Sequence, residues 1–161
     1  MDTKAETSVK TLFLEDLAVG QKFVSEPYSM DTERIKSFAS QFDPQPFHLD
    51  EEAAKSTFFG GLAASGWHTA AVTMRLLVSS APFAGGLLGA GGEIKWPQPT
   101  RPGDILLVES EILEIRQSKS RPERGIVTIK AATINQNGEV VQTLVSSLVV
   151  RTRHPEQLSV H

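Results

Sequence analysis

Apolar residues recur at helical spacing in the first half of the chain and at alternate positions in the second. Ile35, Phe38, Ala39 and Phe42 stand behind an Asp31/Thr32 cap, which predicts an amphipathic helix over 32–41. Asp50 caps a second, shorter helix expected over 51–57. The segment "GWHTAAVTMRLLVSS" (66–80) places Trp67, Ala70, Ala71, Met74, Leu77 and Val78 on one face, and Val72 and Leu76 on the other. A helix apolar nearly all round is expected to be wrapped by the rest of the fold. Gly66 and Pro82 bracket it.

Beyond this helix the period shortens to two. "GGEIKWPQP", "DILLVESEILEI", "GIVTIKAATIN" and "EVVQTLVSSLVVRT" are rich in Val, Ile, Leu and Thr and read as four strands, with Leu106, Val108 and Ile112 sharing one face of the second. Asn137-Gly138 is a hairpin signal. One more strand is expected around 22–30. The prediction is an α+β fold in which a curved antiparallel sheet, ending in a four-strand meander, surrounds one long helix. The open sheet edges imply a second copy, as a homodimer or a higher assembly of dimers.

Composition narrows the function. With 161 residues, 40% hydrophobic and 22% charged, the chain has the statistics of one globular domain, expected over 12–153 with loose tails at 1–11 and 154–161. A formal net charge of -3 provides no basic footprint, so nucleic acid is not an expected partner. The absence of cysteine excludes disulfides and sulfur-ligated zinc. The polar start and the Gly, Ser, His, Arg and Pro interruptions between 58 and 88 argue against a signal peptide and a membrane span. A cytoplasmic protein is the expectation.

The unusual stretch is "FDPQPFHLD" (42–50). Two prolines suggest an irregular loop, yet Phe42, Phe47 and Leu49 are core-type residues beside Asp43 and His48. One reading makes Asp43 a turn residue and His48 a satisfied, half-buried histidine. The other makes them an acid/base pair, held by Pro44 and Pro46 and partly desolvated by Phe42 and Phe47.

Residues 38–69, "FASQFDPQPFHLDEEAAKSTFFGGLAASGWHT", resemble the MaoC-like dehydratases, also called R-specific enoyl-CoA hydratases, of the hot-dog fold. The family's Asp-x-Asn-Pro-x-His signature matches as Asp43, Pro44, Gln45, Pro46, Phe47 and His48, and "GGEIKWPQPTRPGD" resembles the strand and turn after the family's central helix. Gln45 takes the place of the usual Asn, Ser65 of a His, and a serine found further along some family helices is replaced near Met74. The resemblance implies a hydro-lyase adding water to a trans-2-enoyl thioester. Asp43 and His48 would be the acid/base pair, and the Gly66 N–H would be the donor to the enolate oxygen. It implies no metal or redox cofactor, since coenzyme A arrives as part of the substrate.

Gln45, Phe47, Ser65 and Trp67 adjoin these residues and are expected to contact substrate. Lys95, Arg101, Lys119 and Arg121 compete for the phosphates of a coenzyme A or acyl-carrier thioester, although the stretch 116–125 also reads as a solvated hairpin loop. His68 and Arg75 are expected to be structural, with hydrogen-bonding partners. Two other classes stay open: a non-catalytic acyl-binding module, and a hot-dog thioesterase. Against the thioesterase, residues 66–80 carry neither Asp nor Glu.

Overall fold

The structure, a computed structural model, describes residues 10–153. The expected tails fall outside it, apart from Lys10 and Thr11. After a 3-10 turn, Leu14–Asp16, the elements are β1 (Lys22–Val24), β2 (Tyr28–Ser29), α1 (Thr32–Phe42), α2 (Pro46–Leu49), α3 (Glu51–Ala54), α4 (Gly66–Ser80), β3 (Leu88–Lys95), β4 (Ile105–Gln117), β5 (Arg124–Ile134) and β6 (Val140–Arg151).

Three long strands, β4, β5 and β6, pair antiparallel through consecutive hairpins. At the β5–β6 turn Asn135 Oδ1 accepts the N–H groups of Asn137 and Glu139, and Gly138 takes a φ of 76° that an L side chain resists. The meander stops at three strands. β3 pairs with β6 and so lies at the far edge, while β1 and β2 both pair with β4. The strand expected over 22–30 is two short pieces, because Ser25 leaves the ladder to exchange bonds with Val108.

Alternation along β4 sends Leu106, Val108 and Ile112 inward, each fully buried. They meet Val127 and Ile129 of β5, Leu148 and Val150 of β6, and Val72, Leu76 and Leu77 of α4. Burying each of these α4 side chains is worth about 1.5–3 kcal/mol, which holds the helix against the sheet. The wrap is incomplete, however. Trp67, Met74 and Val78 are 60%, 42% and 56% exposed, so one apolar stripe of α4 is uncovered in the single chain. Arg75 is also exposed, and its guanidinium lies over the Tyr28 ring at 5.8 Å, a π contact where a hydrogen-bonding partner was expected.

The segment between α1 and α4 is more ordered than its prolines suggested. Asp31 caps α1 by accepting from the Arg34 N–H, and Ile35 and Ala39 bury its inner face. Asp43 ends α1 with φ -153° and ψ 66°, outside the helical region that the following Pro44 disfavours. Pro46 then starts α2 at a position needing no N–H donor, and His48 is carried on that turn. Asp50 closes α2 through its N–H and caps α3 through its carboxylate, so α3 begins where expected but is shorter.

Candidate active site

The short α2 turn points His48 back at the end of α1. Its Nδ1–H donates to the Ala63 carbonyl at 2.6 Å, and its Nε2 faces Asp43 Oδ2 at 3.2 Å. Because the carbonyl can only accept, Nδ1 carries a proton, which leaves Nε2 as the ring atom turned to the carboxylate. Both side chains are well buried, 5% exposed for His48 and 16% for Asp43.

The Asp43 carboxylate accepts two side-chain hydrogen bonds. Gln45 Nε2 donates to Oδ1 at 2.5 Å, and Ser65 Oγ donates to Oδ2 at 2.7 Å beside His48. Burial alone would raise its pKa, but the hydrogen bonds from Ser65 and Gln45, with the charge of His48, outweigh it and leave Asp43 below the ordinary carboxylate value. It is therefore an ionised base at neutral pH.

Gly66 opens α4 beside this pair. His68 and Thr69 donate their N–H groups to the Ser65 carbonyl, and Trp67 donates to Ser65 Oγ. Among the described residues the Gly66 N–H is left without a protein acceptor, at the positive end of a 15-residue helix. The lack of a side chain is required sterically, since a Cβ here would lie 2.7 Å from the Trp96 ring. That ring is fixed from behind by its Nε1–H bond to Gln142 Oε1 at 2.9 Å.

His48 and Gly66 open onto one cleft of about 360 Å³, with walls from Phe47, Phe59, Trp96 and Val141 and with Thr69 and Thr100 at its base. The two threonine hydroxyls bond each other at 3.0 Å. Deeper still, Thr73 accepts from Gln142 Nε2 and bonds Thr133, so a buried polar chain backs the apolar wall.

The structure thus brings Asp43, His48, Gly66, Gln45 and Phe47 together. Phe47 and Phe59, at 4.5 and 5.9 Å from the imidazole, supply its apolar surroundings. Phe42 does not, since it turns outward and is 67% exposed. Ser65 is fully buried and directed at Asp43 instead of at a ligand. Trp67 packs edge-on against Trp96 outside the cleft lining.

The expected phosphate-binding cations are not gathered at the cleft. The Arg101 guanidinium is committed to the carbonyls of Phe59, Gly61 and Leu62, and so fastens the loop after α3. Lys95 is exposed and pairs with Glu93. Lys119 and Arg121 sit in the β4–β5 turn, which adjoins Val150 rather than Val141 of β6, about 30 Å from the cleft at ~3.3 Å per strand residue. Among the described residues the His68 side chain has no hydrogen-bond partner; it stacks on Phe38 at 4.6 Å, with burial as the main cause of a lowered pKa and the Arg34 charge adding to it.

The sequence reading assigned no role to Trp96, Thr69, Thr100 or the Ala63 carbonyl. "WPQPT" marks an irregular stretch after a strand, but only the tertiary fold lays it over Gly66. Among the described residues there is no cluster of His, Cys, Asp and Glu able to hold a metal ion, and no helix is long and apolar enough to cross a membrane.

A curved antiparallel sheet against one long helix, with an Asp/His pair at the helix start, defines a hot-dog protein of the hydratase/dehydratase type. Residues 15–135 match the model of the MaoC like domain. The solved MaoC-like dehydratase from Rhodospirillum rubrum is 62% identical, superposes with a TM-score of 0.87, and is matched over 88% of this chain and 98% of that one. The uncharacterized protein YdeM of Bacillus subtilis is 36% identical over 76% of this chain and 87% of its own length. The 3-hydroxybutyryl-CoA dehydratase of Methylorubrum extorquens is 27% identical over 70% and 71%. The chain belongs to the MaoC-like dehydratase family.

Proposed function

We propose that this protein reversibly adds water to a trans-2-enoyl thioester, giving the 3-hydroxyacyl thioester. The observation that carries the reading is the Asp43–His48 pair, 3.2 Å apart, with His48 opening onto the same cleft as the unclaimed Gly66 N–H. The activity named for the Methylorubrum relative, a 3-hydroxybutyryl-CoA dehydratase, is the reverse of such a hydration and supports it.

In this mechanism the thioester carbonyl accepts from the Gly66 N–H, and the β-carbon faces a water held by Asp43 and His48. The Asp43 carboxylate takes a proton from that water as its oxygen bonds to the β-carbon. Negative charge moves to the thioester oxygen, where the helix N-terminus stabilises it. The His48 Nε2–H then protonates the α-carbon, and transfer of the proton on Asp43 to His48 restores the pair. The ionised state of Asp43 suits the first step. No step calls on a metal or redox group. The carrier is coenzyme A or an acyl carrier protein, and the compartment expected for the reaction is the cytoplasm. A second copy would cover the β3 edge and the exposed stripe of α4.

The test is the loss of enoyl absorbance with crotonyl-CoA, run beside Asp43→Asn and His48→Ala with folding checked by circular dichroism. Each variant should lose about 10²- to 10⁴-fold in turnover. Full activity in either one removes the pair from the mechanism. Release of free thiol instead would indicate a thioesterase, and binding without turnover an acyl-binding module.

A further inference from the structure

Ser65 precedes α4 and is completely buried. Its Oγ accepts the Trp67 N–H at 3.2 Å and donates its one proton to Asp43 Oδ2 at 2.7 Å. That is the same carboxylate oxygen that faces His48 Nε2. An amide donating into a hydroxyl makes that hydroxyl a better donor in turn, so the positive end of α4 reaches the carboxylate through a single oxygen. The next residue in the same turn is Gly66.

We propose that Ser65 is the positioning residue of the site, its hydroxyl tying the Asp43 carboxylate to the first turn of α4 so that the acid–base oxygen and the Gly66 N–H share one rigid frame. This rests on the hydration reading for its catalytic consequence, though not for its geometry. A helix cap needs only an acceptor for the Trp67 N–H; the bond across 22 residues to Asp43 is an addition that capping does not require. The other side-chain hydrogen bond to the carboxylate comes from Gln45, which is exposed, and His48 gives up its proton in the reaction, so Ser65 is the buried tether that stays in place. Chemistry that needs groups held to a fraction of an ångström gains most from such a tether.

The experiment compares Ser65→Ala, Ser65→Gly and Ser65→Thr with the unaltered protein. Glycine is tolerated at a helix cap and lacks the hydroxyl, while threonine keeps it. Expected for Ala and Gly is a fall in kcat of about tenfold to a hundredfold with KM changed by less than about twofold. The acid limb of the kcat/KM profile moves to higher pH, because Asp43 loses a bond that holds its pKa down. Threonine restores most of kcat. The ¹³C-carboxyl titration of Asp43, which needs no turnover, moves upward in Ser65→Ala and Ser65→Gly. That measurement decides the tether even if the protein does not hydrate crotonyl-CoA. An unmoved Asp43 titration, or a loss of kcat that only follows the unfolded fraction seen by thermal melting, overturns the proposal.

Discussion

Adding one methyl group at Gly66 tests the geometry of the site most directly. The Cβ of Gly66→Ala would sit 2.7, 2.9 and 3.0 Å from Trp96 Cε2, Cδ2 and Cζ2. Carbon contacts are optimal near ~3.5–4.0 Å, so the indole must retreat by about 1 Å or the helix start must move. If the ring stays, overpacking costs about 1–3 kcal/mol. If it swings away, Gln142 Oε1, in a side chain with no solvent exposure, loses its partner at about 1–3 kcal/mol. The helical preference of Ala over Gly returns up to about 1 kcal/mol. The net is about 1–2 kcal/mol, a fall in melting temperature of about 2–8 °C for a chain of this size. Displacing the Gly66 N–H by as much should cost about a hundredfold in hydration rate. The control is a double-mutant cycle with Trp96→Ala, in which the stability penalty of Gly66→Ala should vanish. An Ala variant that melts like the parent in both backgrounds and keeps full activity would refute the close packing of Trp96 on Gly66.

Two other outcomes follow from the same geometry. Arg101→Met should destabilise the protein by about 1.5–3 kcal/mol in chemical denaturation, with Arg101→Lys recovering only part, because a lysine cannot span three carbonyls in one plane. Any activity loss should be equal for coenzyme A and phosphate-free pantetheine thioesters; a loss confined to coenzyme A would put the guanidinium back on the carrier. For Asp43, the folded pKa lies below the ordinary carboxylate value, so its ionisation adds stability that is fully present above that ordinary value and disappears as pH falls through the lower folded one. Melting temperatures of the parent and Asp43→Asn should therefore differ at neutral pH and converge in acid; a difference independent of pH would show that the carboxylate charge is not what Ser65, Gln45 and His48 stabilise.

The long elements were legible because their side chains obey one period throughout. Leu106, Val108 and Ile112 alternate, and Ile35 and Ala39 recur at helical spacing, and the structure buries them all. What periodicity does not encode is which strand lies beside which: β3 is next to β4 in sequence, but its partner is β6. It also does not separate a helix face covered by its own chain from one left open, which is why Trp67 and Met74 read as core. Within the site, the residues alone left Asp43 and His48 open between a turn with a satisfied histidine and an acid/base pair, and the resemblance to the Asp-to-His signature pointed to the pair. The Ser65–Asp43 bond was not legible, as the two residues are 22 positions apart. Arg101 misled for a related reason: a guanidinium suits a phosphate and a cluster of backbone carbonyls equally well until the fold supplies one of them.

The hydrogen-bonded chain from Thr133 through Thr73 and Gln142 to Trp96 has a consequence for redesign of this pocket. The wall that an acyl group would touch is apolar, but its position is decided one layer behind, by hydroxyl and amide groups on three different elements. Substituting Phe47, Phe59 or Val141 one at a time would leave that scaffold intact and change volume only locally. Replacing Gln142 would release Trp96 and orphan Thr73 together, so mutations at 73, 96, 133 and 142 will combine non-additively. A library that varies these four positions jointly explores pocket shapes that single-site scanning of the same residues never samples.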